Sequence, residues 1–241
     1  MIVAAAVMVS CSNDDGDAGI TGKNPNAKIV RQIKIYDYDE SGNEDYYNIL
    51  EFEYDSQNRV IKFTDEGSST SFFYSGNTVT VQEDWDDDTQ ICTLNSDGNI
   101  ISLKYYEYFV KHTYIDGFLN QCNADGDIYT YIWQDNNIVS IKNSYFDSNF
   151  KYGSQTTAPI NLDIFYLICF DYEIMYDYVS LMYGLCGFYG KSTQNLPSQF
   201  TTYEDGITRN CEYEFNTDGT VSKMSIFSDR KYGFVVFELI Y

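Results

Sequence analysis

Apolar and polar residues alternate along most of this chain with the period of two that a half-buried strand requires. The pattern is clearest in Phe52-Glu53-Tyr54-Asp55-Ser56-Gln57-Asn58-Arg59-Val60-Ile61-Lys62-Phe63. It recurs from Cys92 to Leu103 and from Tyr213 to Met224, with a shortened copy from Tyr131 to Ile141. In each full copy an alternating run ends at Asp or Asn, whose side chain can accept from the backbone two residues on. Three positions later comes Asn58, Gly98 or Gly219. These residue types tolerate a positive φ, so each segment reads as a type I turn with a left-handed residue that closes a bulged hairpin. The copies at Phe52, Cys92 and Tyr131 start roughly 40 residues apart, with other short hairpins between them. The pattern predicts an all-β fold, an antiparallel meander of hairpin repeats.

One stretch breaks the alternation. Between Pro159 and Pro197 the apolar residues fall at helical intervals, as at Tyr178, Leu181, Met182 and Leu185. One or two short helices are expected within residues 160–190, packed on the sheet. Gly187 or Gly190 is the candidate stop and Pro197 follows it. Strands resume near Gln199.

The N-terminus has a different character. Residues 1–10 are an uncharged apolar run, too short to cross a bilayer and of the length of a signal-peptide core. Val9-Ser10-Cys11 at its end resembles the cleavage and lipidation point of a bacterial lipoprotein signal. The acidic run after Cys11 resembles the surface-export signal of Bacteroidota lipoproteins. That resemblance implies a lipid on Cys11. Residues 11–27, rich in Gly, Asn and Asp, read as a tether, and residues 28–241 as a single domain with its insert at 159–197.

Charge narrows the partners. The 241 residues carry 36 Asp plus Glu against 15 Lys plus Arg, a net charge of -21. Nucleic-acid binding rests on cations that neutralise phosphates, so it is excluded as a function class. Direct adhesion to an anionic membrane surface is disfavoured by the same sign, which leaves the N-terminal lipid as the membrane contact. Abundant aromatic residues, 24 Tyr, 16 Phe and 2 Trp, mark a chain that folds despite its charge.

Two family resemblances follow. Tyr54-Asp55-Ser56-Gln57-Asn58-Arg59 is similar to the YD repeats of Rhs-type secreted proteins, with Asn58 where those carry Gly. The lipidation signal, the YD-like hairpins, Asn161-Leu162-Asp163 and the run from Gly187 to Asn195-Leu196-Pro197 together resemble a family of gut Bacteroidota lipoproteins known only as a domain of unknown function. That resemblance covers most of residues 28–241. It implies an outer-membrane, cell-surface location and no particular activity.

Candidate chemistry is sparse. Asp37, Asp39, Ser41 and Asn43, with Gly42 at the sixth position, match the first half of an EF-hand calcium loop. Asn48 stands where the bidentate Glu belongs, and an acidic hairpin loop explains the same residues. Asp84-Trp85-Asp86-Asp87-Asp88 reads as a solvated turn. His112 is the only histidine and lies in an expected strand. The five cysteines after Cys11 show no metal-ligand spacing and read as buried thiols. No phosphate loop is present, and no set of side chains supports a catalytic site, so the chain reads as a non-enzyme. The remaining hint is Tyr105, Tyr106 and Tyr108, which an alternating strand would place as an aromatic platform for a glycan or protein ligand. The sequence therefore reads as a surface-lipoprotein binding module for a glycan or protein. A structural or adhesive envelope component is the alternative, and a hydrolase would require converging carboxylates.

Overall fold

The computed structural model describes residues 26–241 apart from 146, 172–177, 204 and 229–232. The signal segment, Cys11 and the tether up to Pro25 lie outside the described residues. Sixteen antiparallel strands run in chain order and close into a barrel. They form eight hairpins. These are β1 (Gln32–Tyr38) with β2 (Glu44–Tyr54), β3 (Val60–Asp65) with β4 (Ser68–Ser75), and β5 (Thr78–Glu83) with β6 (Thr89–Leu94). Next come β7 (Ile100–Tyr105) with β8 (Tyr108–Ile115), and β9 (Phe118–Ala124) with β10 (Asp127–Gln134). The last three are β11 (Asn137–Lys142) with β12 (Asp147–Tyr152), β13 (Pro197–Thr201) with β14 (Thr208–Phe215), and β15 (Val221–Ser228) with β16 (Phe234–Ile240). Pairing of Gln32 with Ile240 through Tyr38 with Phe234 joins β1 to β16 and closes the ring. The expected meander of hairpin repeats is what the chain builds.

All hairpin tips lie at one end of the barrel and all connections between hairpins at the other. The expected turns sit at the connecting end. Asn58, Gly98 and Gly219 have φ of 60°, 81° and 84°. In the first turn Asp55 Oδ1 accepts from the backbone N–H groups of Gln57 and Arg59 at 2.8 and 2.9 Å. Asn95 Oδ1 does the same for Asp97 and Asn99, at 3.0 Å each.

The alternation sorts the two faces of the wall. Inward positions are apolar: Ile33 and Ile35, Leu50 and Phe52, Val79 and Val81, Phe237 and Leu239 are buried in one continuous core. Outward positions between them include Lys34, Glu51, Glu53, Lys62, Lys104, Lys111, Lys151, Glu212 and Glu238, all exposed or half-buried. A barrel that spans a membrane has an apolar outer band, and its strands run for about 9–11 residues. Most strands here have six to eight residues, and their outer face carries these charged side chains among exposed apolar ones such as Phe73, Ile91 and Ile128. The charges distributed along the wall set it apart from the apolar band of a membrane-spanning barrel.

The insert fills the bore. It forms α1 (Phe165–Asp171) and α2 (Tyr178–Leu185). Every described residue from Asn161 to Cys169 and from Met182 to Cys186 is buried. A helix apolar all round must be enclosed, and the contacts show what encloses it. Phe165 meets Phe150 of β12 with ring centroids 4.8 Å apart. Tyr183 meets Phe72 of β4 at 6.3 Å and donates a 2.7 Å hydrogen bond to Gln90 of β6. The two helices are thus inside the barrel and not, as the sequence suggested, on the sheet's face. Gly187 ends α2, at φ 77°, with its N–H on the Gly184 carbonyl and that of Phe188 on Tyr183, the paired bonds of a Schellman cap. Gly184 marks the helix crossing: a Cβ there would lie 2.3 Å from the Tyr166 ring.

A second regularity was not anticipated. Seven aromatic side chains donate to a main-chain carbonyl at the start of their own hairpin. Tyr54 bonds Val30 at 2.6 Å, Tyr74 bonds Val60 at 2.9 Å, and Tyr114 bonds Ile100 at 2.7 Å. Trp133 Nε1 bonds Leu119 and Tyr152 bonds Ile138, each at 2.7 Å. Tyr213 bonds Pro197 at 2.8 Å, and Tyr241 bonds Val221 at 2.7 Å. All seven latches lie at the connecting end. The third hairpin lacks one, because Leu94 occupies the position. Beside it, at the start of the next hairpin, the insert is fastened to the wall: the Phe188 carbonyl accepts from the Ile100 N–H at 3.0 Å.

Each latch satisfies a carbonyl that would otherwise lie beneath an aromatic ring, so its removal should cost about 1–2 kcal/mol. Tyr114→Phe and Tyr152→Phe are expected to lower the unfolding free energy by that amount each. The two hairpins are separate, so the losses should add. Urea denaturation of the two single variants and the double variant checks this, and unchanged midpoints would count against a structural role for the latch.

Candidate functional site

The connecting end carries a cavity of about 790 Å³. One wall is the arc of latched turns, with Gln57 and Arg59, then Asp97 to Asn99, then Gly117 and Phe118, then Asn136. The other wall is the insert, where the chain dives in at Ile160–Asp163 and returns at Gly187–Gln194. Ala27, at the domain's entry, also lines it.

The walls are tied together by hydrogen bonds. Gln194 N–H donates to the Asn136 carbonyl at 2.9 Å, and Asn136 Nδ2 donates to Gln194 Oε1 at 3.0 Å. Asn137 and Asn195 form a second reciprocal pair, with Asn195 N–H on Asn137 Oδ1 at 2.8 Å. Lys191 N–H donates to the Gly117 carbonyl at 2.9 Å. On the opposite side Lys28 pairs with Ile160 as an isolated parallel bridge. Asn161 Oδ1 accepts from the Val30 N–H at 2.7 Å. The motif Asn161-Leu162-Asp163 is therefore the fastening by which the insert enters the barrel.

Asp163 is the buried acid of this site. It caps α1, its Oδ1 accepting from Phe165 N–H at 3.1 Å. Burial pushes its carboxyl up to about 6, against opposing hydrogen bonds from the Phe165 backbone and the Ser192 side chain. Two cations line the same cavity, each over an aromatic ring. The Arg59 guanidinium lies 4.2 Å from the Tyr74 ring centroid, and its Nε bonds Asp55 at 2.7 Å. The Lys191 ammonium lies 4.8 Å from the Phe118 centroid. These rings also meet other rings, Tyr74 with Phe188 at 6.4 Å and Phe118 with Trp133 at 4.6 Å.

The sequence-predicted candidates lie elsewhere. Asp37 is on β1, and Asp39, Ser41 and Asn43 form the tip turn that follows it. Asp39 Oδ1 accepts from Ser41 and Asn43 N–H, both at 2.8 Å, and Oδ2 from the Asn43 side chain at 3.0 Å. Those bonds, led by the Asn43 side chain, hold its carboxyl below the usual range. The turn repeats the geometry of the Asp55 and Asn95 turns, so its Asp-x-Ser-Gly-Asn spacing has a full explanation in hairpin closure. Among the described residues no three His, Cys, Asp or Glu side chains converge as a metal site would need.

Tyr105 and Tyr106 are at the tip end too. The run from Tyr105 to Phe109 is not one strand: Tyr106 takes φ 52° in the tip between β7 and β8. Tyr105 bonds the Asp86 carboxylate, and the rings of Tyr105 and Tyr106 meet edge-on at 4.5 Å. Tyr106 and Trp85 are exposed, whereas Tyr108 packs against the core. The structure thus brings two of the three platform tyrosines together beside the acidic turn and leaves Tyr108 apart.

His112 faces inward on β8, buried, with its ring 4.9 Å from that of Tyr189. Neither ring nitrogen has a hydrogen-bond partner, and desolvation pushes its pKa down to about 4. The five cysteines are buried.

No family model matches the chain and no curated protein matches its sequence. Solved structures do match its fold. A porin-like protein from Bacteroides uniformis ATCC 8492 superposes with a TM-score of 0.67 at 14% identity, over 88% of this chain and 97% of that one. A porin-like protein from Bacteroides vulgatus ATCC 8482 superposes with a TM-score of 0.61 at 15% identity, over 89% of this chain and 98% of that one. At such identities the likeness is one of fold.

The two buried titrating groups oppose each other. Asp163 has a folded pKa near 6 against 3.8 for the free group. Its contribution to stability is full below about pH 4 and is lost as pH rises through 6. His112 has a folded pKa near 4 against 6.5. Its contribution is present above 6.5 and is lost as pH falls through 4. Each is worth about 3 kcal/mol across its window. Asp163→Asn keeps the helix cap, so it should gain stability relative to the parent between pH 4 and pH 7. His112→Leu should gain relative to the parent in the opposite direction, as pH falls. Urea unfolding at both pH values tests this, and a pH-independent difference would remove the assignment.

Proposed function

We propose that this chain is a lipid-anchored binding module of the bacterial outer membrane, displayed at the cell surface, which takes a glycan in the cavity at its connecting end. The observation that carries this reading is the cavity itself. Its volume lies in the usual range for ligand sites, and its walls are hydrogen-bonded turns and a buried insert, so little ordering remains for a ligand to induce. The polar lining groups Asn99, Asn136, Gln57, Gln194 and Ser192 are the kind that fix hydroxyl-bearing ligands. The porin-like Bacteroides neighbours support an envelope setting, and the resemblance of Val9-Ser10-Cys11 to a lipidation signal supports the anchor. The charged outer wall supports a barrel held at the membrane by its N-terminus and not embedded in it.

Geometry favours this over the adhesive alternative. Strand-pairing adhesion needs a free sheet edge, and the β1–β16 pairing leaves the ring without one. For hydrolysis of a glycoside a pair of carboxyl groups would flank the scissile bond. Asp163 instead spends its carboxyl on capping α1 and on Ser192, and Asp97 sits on an exposed turn.

The anchor and the cavity share an end. Fifteen residues lie between Cys11 and Ala27, a contour of at most roughly 55 Å. A lipid on Cys11 would therefore tether the barrel by the end that carries the cavity. Labelled palmitate should enter the full chain in the producing bacterium and fail to enter Cys11→Ala. An unlabelled parent protein would sink the anchor. Screening the full chain on a glycan array tests the ligand class, and Asn136→Ala with Gln194→Ala should weaken any hit at least about tenfold by loosening the cavity wall. Recovery of a protein partner with no glycan hit would reverse the ligand reading.

A further inference from the structure

The cavity's charges point to a narrower class of ligand. The two aromatic rings that could stack on a sugar, Tyr74 and Phe118, each carry a cation over the ring, and each packs against another ring, Phe188 and Trp133 respectively. The cation-covered face of each ring is closed to sugar stacking. The two cations differ in what they are committed to. Arg59 is bonded to Asp55 through its Nε. Lys191 makes no ion pair, although the chain carries 36 acids against 15 bases.

Lys191 is nonetheless well positioned. Its backbone N–H bonds the Gly117 carbonyl at 2.9 Å. Its stem lies along Gly117, where a Cβ would come within 3.1 Å of Cε, and its ammonium sits over Phe118. Gly117, at φ 82°, leaves that channel open. The neighbouring return segment is fixed by the Asn136–Gln194 and Asn137–Asn195 pairs. The ammonium is thus oriented by the fold, lines the cavity and is left without a counter-charge. Asp163 is engaged with the α1 backbone and Ser192, and among the described residues no carboxylate forms an ion pair with Lys191.

We infer that the cavity selects an acidic saccharide, whose carboxylate completes Lys191 while its hydroxyl groups meet the amide side chains of the rim. This rests on the saccharide reading above and specifies it. A cation occupies one face of Tyr74 and one face of Phe118, so recognition runs through polar contacts and one ion pair. Lys191 is exposed, so an ion pair there corresponds to a preference of roughly 2- to 5-fold. The preference should shrink as salt is added.

The test is calorimetric titration of the full chain with two oligosaccharides of equal length, an oligogalacturonate and a neutral galacto-oligosaccharide. The expected result is binding of the uronate about 2- to 5-fold tighter, a preference lost in Lys191→Met, kept in Lys191→Arg and unaffected by Lys34→Met on the outer wall. Thermal melts that match the parent's establish that Lys191→Met is folded. Equal binding of both sugars, unchanged by Lys191→Met, would overturn the acidic preference and leave saccharide binding standing. Binding of neither sugar, alongside an array without a hit, would overturn both.

Discussion

A closed ring of sixteen strands encloses more space than its own inward side chains can fill. Every other feature of this molecule answers to that constraint. Its inward positions are apolar, so the bore cannot simply hold water. Chain must fill it, and the segment between β12 and β13 does so with two helices, buried at residues 165–169 and 182–185. The fit is close enough that Gly184 has no room for a Cβ against Tyr166. It is also imperfect at His112, which is enclosed with neither nitrogen hydrogen-bonded among the described residues, a cost that the surrounding packing has to offset. The insert leaves and rejoins the wall at one end only. That end becomes the place where wall and plug must be fastened together, and the cavity lies along this seam.

The latches explain why the seam is firm. Hairpin connections in a wide barrel would normally be its most mobile parts. Here a phenol or indole from one strand fixes the carbonyl that begins the partner strand, seven times around the ring. Turn tips anchored in this way can serve as a rigid rim. The one hairpin without a latch, at Leu94, lies where Phe188 of the insert crosses to bond Ile100. The ring's own repeat thus gives way where the plug is attached.

Much of this was legible in the sequence. Hairpin turns are encoded locally, by Asp or Asn followed three positions later by a residue that accepts positive φ, and Asn58, Gly98 and Gly219 all stand in that conformation. Helix periodicity between Pro159 and Pro197 was equally local. The repeat length was misread. Similar turns recur about every 40 residues, but the structural unit is one hairpin. The signal for it was present at Tyr54, Tyr74, Leu94, Tyr114, Trp133 and Tyr152, spaced by 20, 20, 20, 19 and 19 residues. It was hidden because tyrosine is also an ordinary strand residue. Ring closure was not legible at all. The contact between β1 and β16 joins the two ends of the domain, and no local pattern distinguishes it from an open edge. The location of the helices follows from closure, since the same apolar surface would pack on the face of an open sheet or inside a closed one. The cavity was illegible for the same reason. Arg59, Asp163 and Lys191 are far apart in sequence and meet only because the insert returns to the rim.

Closure also separates fold from role. In a membrane-spanning barrel the alternation puts apolar residues outward and polar residues toward the lumen. In this chain the alternation has the opposite phase, as Ile33-Lys34-Ile35 and Leu50-Glu51-Phe52-Glu53 show. Because the period is two, a shift of one residue would exchange the faces of every strand. The same ring of hydrogen bonds can therefore enclose water within lipid or enclose a protein core within water. Which of the two is built depends on the phase of the pattern and not on strand number or topology. With charge on its outer face and helices inside, this barrel has a bore occupied by its own chain. Its chemistry is confined to its two ends, and only the end where the insert enters combines a concave surface with side chains fixed in place.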